Sequence, residues 1–244
     1  MIHSSALFNS RELLNIAKAQ KVASQIGAII VGAGRSERMG KDKMFLPLVN
    51  KPLLAWSVDV CQNYQPLSKI VLVLNNTNVN LGRKLVTEQR WSKVVAICLG
   101  GKRRQDSVRE GLRKLEGCEW IIIHDGARPF ITTDLLDAGL EAAINTGAAA
   151  AAVPVKDTIK LSDSSGMVTE TLQRNHLWAI QTPQIFQFDT LIKAYEHSDD
   201  DVTDDASLIE KSGGKVKLYM GSYRNIKVTT PEDWALAEIF ARGQ

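Results

Sequence analysis

The sequence predicts a three-layer α/β/α fold: a doubly wound, mostly parallel sheet with a protruding β-hairpin arm. Three observations lead there. Apolar runs rich in β-branched residues recur at 26–31, 69–74 and 94–99, and they are continuous rather than alternating, as in strands buried on both faces. Segments with helical periodicity separate them, and parallel strands need such right-handed crossovers, which lay helices on both faces of the sheet. The alternation breaks once, over 154–186, where two short strand-like segments flank a turn at 162–166.

The first strand, 26–31, runs into Gly32, Gly34 and Gly40, whose backbone can turn tightly and bring amide groups against an anion. The same loop carries Arg35, Arg38, Lys41 and Lys43, more positive charge than a structural turn needs, although a basic solvated turn is the plainer alternative. It reads as a nucleoside triphosphate site. A dinucleotide fingerprint fails because Arg35, Ser36 and Glu37 follow Gly32-Ala33-Gly34 where a third glycine belongs. A P-loop fails because five residues separate Gly34 from Gly40 and Asp42 follows Lys41. What remains, G-A-G-x-S-x-R-M-G-x-x-K behind a buried strand, resembles the N-terminal signature of sugar-phosphate nucleotidylyltransferases.

Downstream, Pro52 in a first-turn position starts the apolar-periodic helix LLAWSVDVCQN, ending near Tyr64. Strand 69–74, a polar helix over 81–89 and strand 94–99 follow. The last of these ends in GGKRRQDSVREGL, where Ser107 with Glu110 forms a capping box and Asp106 is a second candidate cap. Gly100, Gly101 and Arg104 lie at a strand's carboxyl end, where open α/β sheets bind ligands. A fourth strand, 120–124, carries into Asp125-Gly126-Ala127-Arg128-Pro129-Phe130. A carboxylate and a guanidinium three residues apart can hold polyol hydroxyls and a phosphate, or pair with each other. His124 reads as a packed strand residue.

A helix over 133–146 stops at Gly147, and an alanine-rich strand covers 148–153. The hairpin strands are expected at 158–161 and 168–172. Asp199, Asp200, Asp201, Asp204 and Asp205 could gather a cation, but a solvated loop with Thr203 or Asp204 capping a helix over 206–211 explains them better. Strands at 216–220 and 226–228 follow, with Lys227 pointing opposite to Ile226 and Val228. Thr230-Pro231-Glu232-Asp233 then caps a helix running to about residue 242.

GAGRSERMGKDK, GGKRRQDSV, HDGARP, PVKDTIK, TDDAS and NIKVTTPED stand in the order and spacing typical of 2-C-methyl-D-erythritol 4-phosphate cytidylyltransferases, which the chain resembles over about 26–240. The resemblance implies a Rossmann-like nucleotidyltransferase domain over 26–244, a dimerisation arm at about 156–178 and an N-terminal extension, 1–25, of unassigned role. It implies transfer of a cytidylyl group from CTP to methylerythritol 4-phosphate, with Mg²⁺ held mainly by the CTP phosphates and no side chain assigned as a metal ligand. Arg38 and Lys43, assisted by Lys227, would stabilise the α-phosphate and the departing pyrophosphate. Gly32, Ala33, Gly34, Gly101 and Ser107 would hold the nucleotide. Asp125, Arg128 and Thr203 would meet the polyol phosphate, joined by Thr158 and Arg174 from the arm of a second copy in a homodimer. Val31 and Gly126 replace the family's common proline and alanine, and Glu37 puts a carboxylate beside the triphosphate.

Composition narrows the classes further. At 244 residues, 44% hydrophobic and 23% charged, the chain has the makings of a sizeable core in one large or two small domains. A net charge of +3 argues against general nucleic-acid binding. Cys61, Cys98 and Cys118 fit neither a disulfide framework nor a zinc site, which suits a reducing cytoplasm. No apolar run reaches the roughly 18 residues of a membrane helix. Residues 1–25 predict a short amphipathic helix that a misassigned start, a dispensable extension or a transit peptide would explain equally. Three rivals stand: a ribitol 5-phosphate cytidylyltransferase, a D-x-D glycosyltransferase and a catalytically silent nucleotide sensor.

Overall fold

The computed structural model describes residues 26–34, 42–197 and 201–243. The expected helix within 1–25, the loop residues Arg35, Glu37, Arg38, Gly40 and Lys41, and Asp199 and Asp200 lie outside the described residues.

In chain order the elements are β1 (Ile26–Val31), a one-turn 3-10 helix (Lys43–Phe45), β2 (Pro47–Leu48), β3 (Lys51–Pro52), α1 (Leu53–Asn63), β4 (Leu67–Leu74), α2 (Val79–Gln89), β5 (Val94–Leu99), α3 (Arg104–Leu112) and β6 (Trp120–Asp125). There follow α4 (Thr133–Thr146), β7 (Ala148–Pro154), β8 (Lys160–Ser162), β9 (Val168–Thr171), a second 3-10 turn (Arg174–His176), β10 (Trp178–Gln187), α5 (Phe188–His197), α6 (Asp205–Lys211), β11 (Lys217–Met220) and α7 (Pro231–Arg242).

Seven strands form the central sheet in the order β11-β7-β10-β6-β1-β4-β5. β1 lies parallel to both neighbours, Ile29 opposite Val71 on one side and Ile123 on the other. β10 runs antiparallel to β6 and β7 and is the reversed strand of a sheet otherwise parallel. Both faces are covered, so β1 sends Ile26, Ala28 and Ile30 into one core with Leu54 and Val58 of α1 and Leu136 of α4. Ile29 enters the other, with Leu112 of α3, Leu191 of α5 and Ile209 of α6. Covered on both sides, the strand gains nothing from polar residues at alternate positions. A third cluster packs α7, through Ala237 and Ala241, onto Leu48, Leu53 and Phe130.

Three expectations change. β10 is not marked by its own sequence: Gln181, Pro183 and Gln184 break its apolar pattern. Its pairing with β7 skips register between Ile180 and Gln184, so 181–183 leave that ladder and tolerate a residue with no N–H to give. Residues 226–228 form no strand, although Val228 N–H donates to Ala127 O at 2.8 Å. The hairpin strands shift to β8 and β9, which pair with each other in a separate two-stranded sheet and bury no side chain in this chain. β7 is the opposite case, since Ala148 to Ala152 are all fully buried.

Candidate active site

The sheet's connections reverse at β1. The chain leaves β1 for β4 and β5 on one side and then crosses to β6 on the other, opening a crevice beyond the carboxyl ends of β1 and β6. Gly126 N–H donates to Val31 O at 2.9 Å, tying the two strand ends at its floor. A cavity of about 640 Å³ occupies the crevice, between the loop after β1 (Ala33, Gly34), the buried Lys43, and the loop after β5 (Gly101). These loops meet because Gly100 has no side chain: a Cβ there would sit 2.4 Å from Ala33 Cβ and 2.7 Å from Ser107 Oγ.

Local structure fixes each group. Asp42 caps the turn that carries Lys43, accepting from Met44 N–H at 3.2 Å, and accepts from the buried Asn78 Nδ2 at 2.7 Å. Asn78 Oδ1 in turn accepts from Asn75 N–H at 2.9 Å, so the lysine-bearing turn is latched to the end of β4. Ser107 is not a cap: its hydroxyl donates to Arg103 O and accepts from Gly101 N–H at 3.2 Å. Asp106 closes the start of α3 by accepting from Arg103 N–H at 3.1 Å, while Glu110 pairs with Arg113.

Asp125, at the end of β6, is the electrostatic centre. One carboxylate oxygen faces Arg104 Nε at 3.3 Å, the other Lys227 Nζ at 2.8 Å, and Arg128 Nε stands 3.7 Å away. Burial alone would raise this carboxyl's pKa, but Arg104, then Lys227 and Arg128, outweigh it and hold the group well below the usual carboxylate range. The local Asp125–Arg128 pair is therefore one contact of a larger cluster. The preceding His124 is fully buried, as a packed strand residue should be. Asp125 N–H donates to Thr182 Oγ1 at 3.0 Å, the Thr182 hydroxyl lies 3.1 Å from His124 Nδ1, and His124 Nε2 lies 3.0 Å from Arg128 O. This chain holds both ends of the Asp125–Arg128 turn, and burial depresses the imidazole pKa to about 4.

A second cavity, about 360 Å³, adjoins the first and shares Arg104, Asp125 and Lys227 with it. Of the residues proposed from sequence, Ala33, Gly34, Lys43, Gly101, Ser107, Asp125 and Lys227 line the first cavity. Arg128 and Thr203 line the second, again with Asp125 and Lys227. Gly32 lines neither: its N–H donates to Val73 O at 2.7 Å and a Cβ would meet Leu74 Cδ2 at 3.0 Å, so it serves packing. Thr158 and Arg174 are exposed and reach neither cavity within one chain; Arg174 Nη1 donates to Lys156 O at 2.6 Å. Asp204, not Thr203, caps α6.

Sequence reasoning missed part of the wall. Arg104 Nη1 pairs with Asp205, a buried carboxylate 101 positions away that also accepts from Tyr195 OH. Asn225 offers its carbonyl to Arg128 Nη1 at 2.8 Å, and the buried Gln184 holds the start of α6 through Asp204 and Ala206 N–H. Arg104 had a legible address at a strand's carboxyl end; Asp205 and Asn225 stand in TDDAS and NIKVTTPED, which mark the segments but not these contacts, and Gln184 stands in none of the six motifs. Among the described residues no group of three or more His, Cys, Asp or Glu side chains is arranged to hold a metal, and no helix is long and apolar enough to cross a membrane.

A doubly wound sheet opening glycine-bearing, basic loops onto a buried lysine and a cation-ringed carboxylate defines a nucleotidyltransferase of the α/β class. Residues 26–242 match the model of the 2-C-methyl-D-erythritol 4-phosphate cytidylyltransferase (IspD) family, and the chain belongs to that family. It is 48% identical over 219 residues to the 2-C-methyl-D-erythritol 4-phosphate cytidylyltransferase of Dehalococcoides mccartyi (strain CBDB1), covering 89% of this chain and 96% of that one. The corresponding protein of Alkaliphilus oremlandii (strain OhILAs) is 43% identical, over 88% of this chain and 94% of its own. Among solved structures, the 4-diphosphocytidyl-2C-methyl-D-erythritol synthase of Anaerococcus prevotii superposes with a TM-score of 0.81 at 29% identity, covering 90% of this chain and 99% of that one. The Gly126 departure has a packing reason: a Cβ there would come within 2.9 Å of Leu54 Cδ1.

Proposed function

We propose that the protein transfers a cytidylyl group from CTP to 2-C-methyl-D-erythritol 4-phosphate, giving the cytidine diphospho product and pyrophosphate. The observation that carries this reading is the pair of adjoining cavities with a common wall of Arg104, Asp125 and Lys227. A transfer between two bound phosphates needs both held side by side with cations at the junction. CTP belongs in the larger cavity, its small pyrimidine and ribose against Ala33, Gly34, Gly101 and Ser107. The polyol phosphate belongs in the smaller one, near Asp125, Arg128 and Thr203. Its phosphate oxygen attacks the α-phosphorus in line, so no protein nucleophile is needed.

Lys43 and Lys227, with Arg38 from the glycine loop, neutralise the charge that grows on the α-phosphate and the leaving pyrophosphate. Mg²⁺, when bound, would supply positive charge that neutralises the nucleotide phosphates. Asp125 is already engaged by Arg104 and Lys227, so the ion's ligands belong to the nucleotide and to water, as suits an ion that dehydrates reluctantly. The arm formed by β8 and β9 packs on a second copy in a homodimer and brings Thr158 and Arg174 to that copy's acceptor pocket. With three free cysteines, the enzyme works in a reducing cytoplasm.

The test is pyrophosphate release with CTP and Mg²⁺, offering methylerythritol 4-phosphate and ribitol 5-phosphate in parallel. Release with the first alone is expected. Release with the second alone keeps the chemistry and replaces the acceptor, whereas CTP binding without release from either makes the protein a nucleotide sensor.

A further inference from the structure

We infer that Arg104 is a positioning residue: pinned from behind by the buried Asp205, it stays on Asp125 as a fixed counter-ion while Lys227 turns to the substrate phosphates. The inference rests on the two-cavity reading above. Asp125 divides its oxygens between two cations of different character. Lys227 Nζ, 2.8 Å from one oxygen, belongs to a side chain 42% exposed on a segment without regular structure. Arg104 Nε, 3.3 Å from the other, belongs to a guanidinium whose opposite edge is bound by Asp205.

That anchor is rigid. The Asp205 side chain is 1% exposed, heads α6 and accepts a hydrogen bond from the buried Tyr195 hydroxyl at 2.5 Å. A planar guanidinium can bridge two carboxylates in fixed geometry, which an ammonium cannot.

The charges then dictate an exchange. The acceptor phosphate brings roughly two negative charges at neutral pH, and Lys227, which lines both cavities, is more exposed there than Arg104, whose side chain is 22% exposed. Once Lys227 turns to phosphate, Asp125 would face that phosphate as a like charge unless another cation remained beside it. Arg128 is committed in part to Asn225 O and stands farther away, at 3.7 Å. Arg104 supplies the lasting pairing, held between Asp125 and Asp205. A buried pair of this kind adds little to stability, since desolvation offsets its attraction; its effect is to hold Asp125 ionised and oriented toward the acceptor.

The experiment compares the unsubstituted protein with Arg104→Gln, Arg104→Lys and the near-isosteric Asp205→Asn in steady-state kinetics, varying each substrate, with thermal melting as the folding control. In Arg104→Gln and Asp205→Asn the KM for the acceptor is expected to rise roughly tenfold or more, while the KM for CTP stays within about twofold. Arg104→Lys, which keeps the charge but cannot span both carboxylates, is expected to fall between. An acceptor KM unchanged in Arg104→Gln and Asp205→Asn overturns the inference, and so does an equal rise for both substrates. Silence of the unsubstituted protein with both polyol phosphates overturns the functional reading instead. The same comparison then rests on calorimetric binding of inorganic phosphate to the CTP complex, weaker binding in Asp205→Asn supporting the positioning role and equal binding overturning it.

Discussion

His124 has both ring nitrogens engaged and no contact with solvent, so its protonation state is part of the fold. With Nε2–H donating to Arg128 O, the neutral ring keeps Nδ1 as an acceptor for the Thr182 hydroxyl, whereas protonation would set a second donor against that hydroxyl and take its acceptor away. Burial depresses its pKa to about 4, below the unfolded value of 6.5. The stability this contributes is fully present above pH 6.5, declines as the pH falls through that value and is gone below about pH 4, roughly 3 kcal/mol in all. Urea unfolding of His124→Asn should therefore show a flatter pH dependence between 6.5 and 4 than the unsubstituted protein; an identical slope removes His124 as the cause. Lys43 acts on the reaction instead. Lys43→Ala should lower kcat by about two orders of magnitude, near 3 kcal/mol, as loss of a strong transition-state contact does, with little change in melting temperature. Unchanged turnover in the same pyrophosphate assay would remove it from the mechanism.

Among the elements, the 3-10 turn that presents Lys43 is too short to hold its own geometry and borrows it from the amide of Asn78 at the head of α2. Asn78→Ala should leave the nucleotide KM nearly unchanged but reduce kcat about tenfold, because the lysine turn loses its tether and the half-buried Asp42 carboxylate loses a donor. Full kcat in that variant would show that the turn holds without the latch. Elements were legible where burial on both faces or an end cap marks them locally: β1 and α4 fall where the apolar run and Gly147 put them, and Thr230 caps α7 through Asp233. β10 was not legible, because its place between β6 and β7 comes from partners far along the chain while its own residues include a proline. The site divides the same way. Charged residues beside glycines at strand ends announce themselves, whereas the contacts of Asp205, Gln184 and Asn225 reach partners far along the chain, and the segments that hold these residues do not spell those contacts out.

For the molecule as a whole, the β8–β9 arm raises the question of what it rests on. A two-stranded ribbon is marginal alone in water, and this one exposes Leu161, Met167 and Val168. Sedimentation should find a dimer, and Met167→Asp with Val168→Glu should shift it toward monomer and lower turnover at low protein concentration, with recovery as concentration rises. A fully active monomer would separate the arm from catalysis. At the other extreme of exposure lies β7. Five consecutive alanines in a fully buried strand have no rotamers to lose and almost no volume to remove, so replacement there with a larger residue must push neighbours apart, and glycine only loosens the strand. The protein thus carries a one-way constraint in its core, able to drift where side chains meet only solvent but nearly frozen in the strand with the plainest chemistry of all.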